Sequence, residues 1–403
     1  MALEIHNIDN FLNAIHSRSK VSQYTHDFYR YPARFSPEFA RWVIKSFTQP
    51  NDWVIDPFMG GGTSLVEAQL LGRNAVGSDI SSLATFLAQT KTQVIENERI
   101  LNFENWALNK IEQLNCHKPT SRPKQWIDFG YQKNINTKKT WPIRKIIEQA
   151  LQHTEEINDI RIERYYRCAL LKTGQWALDS RKEIPTASDF RIKFMEDIQK
   201  ICESAIIFAA EVNKINSNFA NSDRPKTICL NKPAEEMKHI DLFKDKKPKL
   251  VITSPPYPGV HILYHRWQVL GRRETPAPFW IANSLDGEKG SFYTLGSRHQ
   301  KGLKDYFVNI ENIFKAISEI SDPDTIIVQL ISFSEPEWQI DKYLSIMNKA
   351  GFKEKKIKNI DDSQNERIWR EVPNRKWYVS QKDDISSSRE VVLFHKLSSK
   401  LSK

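Results

Sequence analysis

A chain of 403 residues with 40% apolar and 11% aromatic content can bury a substantial core, which excludes a disordered polypeptide, and roughly 150 residues per domain gives two or three units. The formal charge of +10 fits a polyanionic partner, and the lack of any run of about 18 apolar residues argues against a membrane span. Cys116, Cys168, Cys202 and Cys229 have neither CxxC nor Cys/His ligand spacing, so neither disulfides nor a structural metal is expected.

The start Met1-Ala2-Leu3-Glu4-Ile5-His6 lacks the basic-then-apolar character of a signal peptide, and a cytoplasmic protein is expected. A helix is predicted over 37–48 and a strand over 53–56. The strand runs into Asp56-Pro57-Phe58-Met59-Gly60-Gly61-Gly62-Thr63-Ser64, which opens a predicted helix over 63–71. Glycines there let the backbone approach a ligand where a Cβ would collide, and Thr63 or Ser64 can cap the helix. After Gly72-Arg73 comes a second strand, 74–79. An acid about 20 residues past a glycine turn, at the tip of the next strand, is placed to accept hydrogen bonds from ribose hydroxyls. Asp79 is that candidate, and the competing reading makes it the N-cap of the predicted helix 81–95.

Residues 96–225 form a mostly helical insertion that a minimal catalytic domain does not require, with helix-like apolar spacing in 143–153, 160–178 and 189–214. Basic and aromatic residues interleave in it: Lys138, Lys139, Trp141, Arg144, Lys145, Arg161, Arg164, Tyr165, Tyr166, Arg167 and Trp176. A DNA-facing surface uses lysine and arginine for phosphates, and Lys138, Lys139, Arg144 and Lys145 are the candidates. The alternative is that the aromatic residues are core and the basic ones a solvated face.

Strands follow at 227–230 and 250–253, and the second ends in Ser254-Pro255-Pro256-Tyr257. Two prolines leave strand-end carbonyls that no following ladder N–H can satisfy, so those oxygens can grip an NH2 group. Ser254 adds a hydroxyl acceptor and Tyr257 an aromatic face for a planar base. The alternative is a Pro-rich turn over a core tyrosine. Methylating a ring carbon of cytosine needs a thiolate, which in that family follows a proline, and no Pro-Cys pair occurs here. Hydrogen bonds from an amine to Ser254 Oγ and the Pro255 carbonyl would instead make its nitrogen pyramidal and able to attack a methyl directly.

Residues 258–301, with His261, Tyr264, His265, Arg266, Trp267, Arg272, Arg273, Trp280, Tyr293, Arg298 and His299, have little periodicity and read as a substrate-ordered lid. Arg272, Arg273 and Arg298 are phosphate candidates there, against salt bridges to Glu274 and Asp286. The histidines, including His26, do not suggest a metal. Helices are predicted at 302–319 and 336–350, strands at 325–332 and 390–396, and a hairpin partner for the last strand at 353–360, with 361–388 a polar excursion.

These blocks resemble the S-adenosylmethionine-dependent DNA amino-methyltransferases of the N4-cytosine and N6-adenine type. His26 and Tyr31-Pro32-Ala33-Arg34-Phe35 are similar to the family's N-terminal block, which lies against the methionine end of the cofactor. Asp56 to Gly62 resembles its phenylalanine-glycine loop, with Asp79 as the ribose acid and Ser254 to Tyr257 as the catalytic tetrapeptide. The resemblance covers about residues 20–95 and 226–400. It implies an α/β fold, a Rossmann-like methyltransferase sheet carrying a helical insertion, with 1–95 the cofactor-binding part, 96–225 the candidate DNA-recognition insertion and 226–403 the part holding the catalytic motif, the lid and the closing strands. It further implies S-adenosylmethionine held by Tyr31, Pro32, Ala33, Phe35, Asp56, Pro57, Phe58, Gly60, Gly62, Thr63, Asp79 and Ile80, and catalysis by Ser254, Pro255, Pro256 and Tyr257.

The partner so implied is duplex DNA at one short sequence, with a cognate restriction endonuclease as companion and no membrane. A leading serine is commoner among N4-cytosine enzymes, and adenine N6, an RNA base or a protein amide is the alternative target. A nucleic-acid-binding protein that has lost activity is the alternative of a different class, against which Asp56, Asp79 and Tyr257 stand intact. Asp56, Asp79 and Ser254 all fall at predicted carboxyl ends of strands, where ligands bind in open α/β sheets.

Overall fold

A computed structural model of the chain describes residues 8–17, 23–31, 36–120, 124–258, 266–271, 273–287, 293–296, 300–357, 367–372 and 388–398. The strands are β1 (Trp53–Asp56), β2 (Asn74–Ser78), β3 (Thr227–Leu230), β4 (Leu250–Thr253), β5 (Trp267–Val269), β6 (Arg273–Thr275), β7 (Ile326–Ile331), β8 (Phe352–Glu354), β9 (Ile368–Val372) and β10 (Ser388–Leu397). The helices are α1 (Ile8–His16), α2 (Pro37–Phe47), α3 (Thr63–Leu70), α4 (Ser82–Thr92), α5 (Asn97–Glu112), α6 (Lys124–Asp128), α7 (Trp141–His153), α8 (Ile160–Leu178), α9 (Ala187–Asn216), α10 (Leu242–Asp245), α11 (Ala277–Ile281), α12 (Gln300–Ile320) and α13 (Pro336–Lys349).

Valine and isoleucine dominate the central strands, as expected where both faces of a parallel sheet are covered, and β1, β2 and β4 are buried along their whole length. The main sheet runs β3-β2-β1-β4-β7-β10-β8. Its first five members are parallel, and β10 enters antiparallel to β7. β8 and β9 pair end to end along the far edge of β10. The chain therefore winds outward from β1 to β3 and returns on the other side of β1 as β4, so the switch point of this Rossmann-like sheet lies between β1 and β4.

Alternation along the strands sorts side chains between two layers. Trp53, Ile55, Val251, Ile327 and Leu393 join the core beneath α12 and α13. Val54, Leu250, Ile252, Val328 and Phe394 join the core beneath α1, α2 and α3. A third core is built by α4 with the insertion helices α5, α7, α8 and α9, and Tyr165 and Tyr166 are wholly buried in it, which makes them core.

The segment after Ser254-Pro255-Pro256-Tyr257 departs from expectation, because its described residues form a hairpin and a short helix rather than a free lid. Trp267 and Trp280 are buried in the insertion's core, Trp267 Nε1 donates to Tyr29 Oη at 2.9 Å, and Asn134 Nδ2 donates to the Glu274 carbonyl at 2.7 Å. Gly174, inside α8, makes room for that packing: a Cβ there would lie 2.5 Å from Trp267 Cη2. Aromatic residues that look aperiodic in sequence are periodic with respect to another element's surface. The excursion before the last strand likewise yields β9, while 358–366 and 373–387 lie outside the described residues.

Candidate active site

Three strand ends converge at the switch point, and hydrogen bonds tie them together. Asp56, the last residue of β1, is buried and accepts from the Phe58 amide at 3.1 Å, from Ser64 Oγ at 2.5 Å and from Thr253 Oγ1, at the end of β4, at 2.8 Å. The glycine loop is tied to β2 by Met59 N donating to the Ser78 carbonyl at 3.0 Å and by Gly60 N donating to Asp79 Oδ2 at 3.0 Å. Asp79 Oδ1 accepts from Ser81 N at 2.8 Å, and Asp79 N reaches the Leu230 carbonyl of β3 at 3.1 Å. Burial pushes both carboxyls, Asp56 and Asp79, up to about 6 against the pull of these hydrogen bonds.

Two local assignments change. Gly62, at φ +78°, is the N-cap of α3, in place of Thr63 or Ser64, and a Cβ there would sit 2.9 Å from Ala88 Cβ on α4. Ser64 has its hydroxyl on Asp56 instead. Asp79 is not the cap of α4, because Ser81 accepts from Ala84 N in that place, and Asp79 stands two residues outside the helix. His26 is buried with Nε2 2.7 Å from Glu67 Oε1, a carboxylate that Arg41 also binds, so this histidine anchors the N-terminal block onto α3.

The described cofactor candidates line the loop. Tyr31 is buried against it, close enough that a Cβ on Gly60 would lie 3.1 Å from its Cε1; Pro57 and Thr63 are buried, and Phe58 and Ile80 half-buried. Pro32, Ala33 and Phe35 lie outside the described residues. The residues present fit S-adenosylmethionine: a backbone loop with a small-residue floor, a helix N-terminus behind it, and a strand-tip carboxylate whose remaining lone pairs can accept from a ribose.

Ser254 is half-buried at the end of β4, Pro255 is buried and Pro256 half-buried. Tyr257 is 8% exposed in the core beneath α12, so it offers little face for a base to stack on, and its hydroxyl has another duty. It donates to Glu390 Oε1 on β10 at 2.5 Å and lies 3.3 Å from Ser254 Oγ. Glu390 is held in turn by Arg370, its cross-strand partner on β9, through two guanidinium nitrogens at 2.7 Å. Glu390 does not stand out in the sequence, where the one signal is an acid at the mouth of the apolar run Val391-Val392-Leu393, and Arg370 is one of several basic residues of the polar excursion before it.

Of the phosphate candidates, Lys138, Lys139 and Arg273 are exposed and share a groove of about 490 Å³ with Lys182, which composition alone did not single out. Arg144 and Lys145 are corrected: Arg144 is 1% exposed and paired with buried Glu148, and Lys145 donates to Thr120 Oγ1 at 2.5 Å, because they sit on the inner face of α7. Arg272 and Arg298 lie outside the described residues, as do His261, His265 and His299. The four thiols are free, and burial raises Cys168 to about 12 and Cys229 to about 11, which makes those two poor nucleophiles.

Residues 6–90 match the DNA methylase family of N6 and N4 methyltransferases. The Type II methyltransferase M.MvaI of Kocuria varians is 24% identical over 280 residues, 64% of this chain and 58% of its own length. M.BsoBI of Geobacillus stearothermophilus is 25% identical over 266 residues, 60% of this chain and 50% of its own length. M.MjaII of Methanocaldococcus jannaschii is 30% identical over 97 residues, 24% of this chain and 18% of its own. The chain thus spans about half the length, or less, of these relatives. The family match lies on the N-terminal block, the glycine loop and the strand-tip acid Asp79, so this part of the chain is similar to the DNA methylase family of N6 and N4 methyltransferases.

Proposed function

We propose that this protein methylates the exocyclic N4 of a cytosine flipped out of duplex DNA. The observation that carries the reading is Ser254, whose hydroxyl stands at the carboxyl end of β4 next to Thr253, which binds the glycine-loop carboxylate Asp56. When bound, S-adenosylmethionine supplies a sulfonium methyl as electrophile. Asp79 would accept the ribose hydroxyls, and the backbone from Pro57 to Gly62, the Tyr31 ring and Ile80 would hold the rest of the cofactor. Ser254 Oγ and the Pro255 carbonyl accept the two amine N–H groups and turn the nitrogen lone pair toward the methyl. In the transfer the N–C bond would form as the methyl–sulfur bond breaks, the electron pair would stay on sulfur, S-adenosylhomocysteine would leave as a neutral thioether, and the proton lost from nitrogen would pass to solvent. Duplex DNA runs across the groove of Lys138, Lys139, Lys182 and Arg273, whose charges bind phosphates without reading sequence. A serine rather than an acid at the head of the tetrapeptide supports cytosine over adenine, and a cognate restriction endonuclease is the partner that such an activity implies.

The test is mass spectrometry of nucleosides from plasmid propagated with this protein. N4-methylcytosine is the expected product. N6-methyladenine would keep the site and overturn the base, and 5-methylcytosine would overturn the mechanism, since burial keeps the described cysteines near the site from serving as thiolates.

A further inference from the structure

We infer that Glu390, clamped by Arg370, is a positioning residue that fixes the proton of Ser254 and so makes the serine an obligate acceptor toward the substrate amine. The inference rests on the proposed amino-methyl transfer and goes beyond it. A serine hydroxyl ordinarily both donates and accepts, and a rotor free to donate would compete with the role assigned to it. The described network removes that freedom. Glu390 is 3% exposed, and its Oε2 takes Arg370 Nε and Nη2, each at 2.7 Å. A carboxylate has no proton to give, so along the 2.5 Å contact at Oε1 it is Tyr257 that donates. Tyr257 has one hydroxyl proton and spends it there. In the 3.3 Å contact between Ser254 Oγ and Tyr257 Oη, the serine must then be the donor. Its proton points into the protein, and its lone pairs are what remain for an incoming N–H. The direction of three successive hydrogen bonds is set from the arginine outward, by a cross-strand pair of β9 and β10.

The device gives a neutral serine the acceptor-only character that a carboxylate has by itself. It also accounts for the burial of the Tyr257 ring: the side chain acts chiefly through its hydroxyl, and the ring holds that hydroxyl in place.

The test compares Tyr257→Phe, Glu390→Gln and the double variant in the full-length protein. Tyr257→Phe keeps the ring and should lower kcat about tenfold or more, with the dissociation constants for S-adenosylmethionine and DNA and the melting temperature unchanged. Glu390→Gln should lower kcat similarly, and the double variant should fall no further than Tyr257→Phe alone, because both cut one chain. Wild-type kcat in Tyr257→Phe, or losses that multiply in the double variant, would overturn the inference. A readout independent of turnover is the Tyr257 hydroxyl proton in the NMR spectrum, a downfield resonance expected to vanish in Tyr257→Phe and move in Glu390→Gln; its absence from the wild type overturns the tether. Failure of the wild-type protein to methylate any amine while that resonance behaves as expected would sink the functional reading and the positioning role, and leave the tether as a structural bond.

Discussion

At the scale of single residues, the proposed ribose contact of Asp79 would couple cofactor binding to pH. Burial raises it to about 6, and ribose hydroxyls donate to the ionised form, so cofactor affinity is expected to weaken as pH falls through about 6. Calorimetry at about pH 5.5 and 8 checks this, and Asp79→Asn should flatten the dependence while costing about 1.5–3 kcal/mol of binding at the higher pH. Gly62→Ala tests the loop from another side. Its φ of +78° and the 2.9 Å approach to Ala88 Cβ predict a loss of about 2–4 kcal/mol in folding stability, read by denaturant melts. Asp56, the glycine loop and Asp79 were legible in the sequence because their spacing along one strand, turn and helix is local, and Ser254 because two prolines and an aromatic residue follow it directly at a strand end. The role of Glu390 was not: it lies 133 residues past Tyr257, and only the strand register brings it under that ring, while Arg370 could be read only as one of several basic residues in the polar excursion.

Elements carry the recognition argument. Lys138, Lys139, Lys182 and Arg273 come from the insertion and from the β5–β6 hairpin, and the hairpin is docked on the insertion by Trp267 and Asn134. Neutralising these four together should flatten the salt dependence of DNA binding by roughly 0.9 for each phosphate that the protein no longer neutralises, measured as the slope of log affinity against log salt. An unchanged slope would make the groove an ordinary solvated surface. Gly174→Leu should undock the hairpin at a cost of about 1–3 kcal/mol, since Trp267 fills the space the side chain needs. The elements read from periodicity fall near their observed ends, helix 160–178 for instance as α8, Ile160–Leu178, whereas α1, α5, β5, β6 and β9 were not read and the strand expected at 353–360 is only Phe352–Glu354. The inner face of α7 was not readable, because Arg144 and Lys145 look solvent-facing until the carboxylate that neutralises Arg144, Glu148, is seen one turn on.

For the molecule as a whole, buried titratable groups oppose one another. Asp56 titrates near 6 rather than 3.8, so its burial is least costly at low pH, and about 3 kcal/mol of stability is lost as pH rises from about 4 to about 6. His395, wholly buried on β10 near Glu354 and Arg367, is held down to about 4, so the stability of its neutral form is present above about 6.5 and lost as pH falls. The two trends offset each other in the same window. His395→Leu should therefore stabilise the protein most near pH 4.5 and little at pH 8, as followed by thermal melts across that range.

The antiparallel placement of β10 also has a consequence in time. A ribosome emits Tyr257 133 residues before Glu390. The hydrogen bonds that tie the candidate cofactor cradle end at Thr253, so a nascent chain has emitted all of them well before β10, whereas the contact inferred to set the direction of the Ser254 hydroxyl waits until β10 pairs with β7. On the proposed reading, the growing polypeptide would complete its candidate cofactor cradle before the hydroxyl that is to orient the amine is held in place.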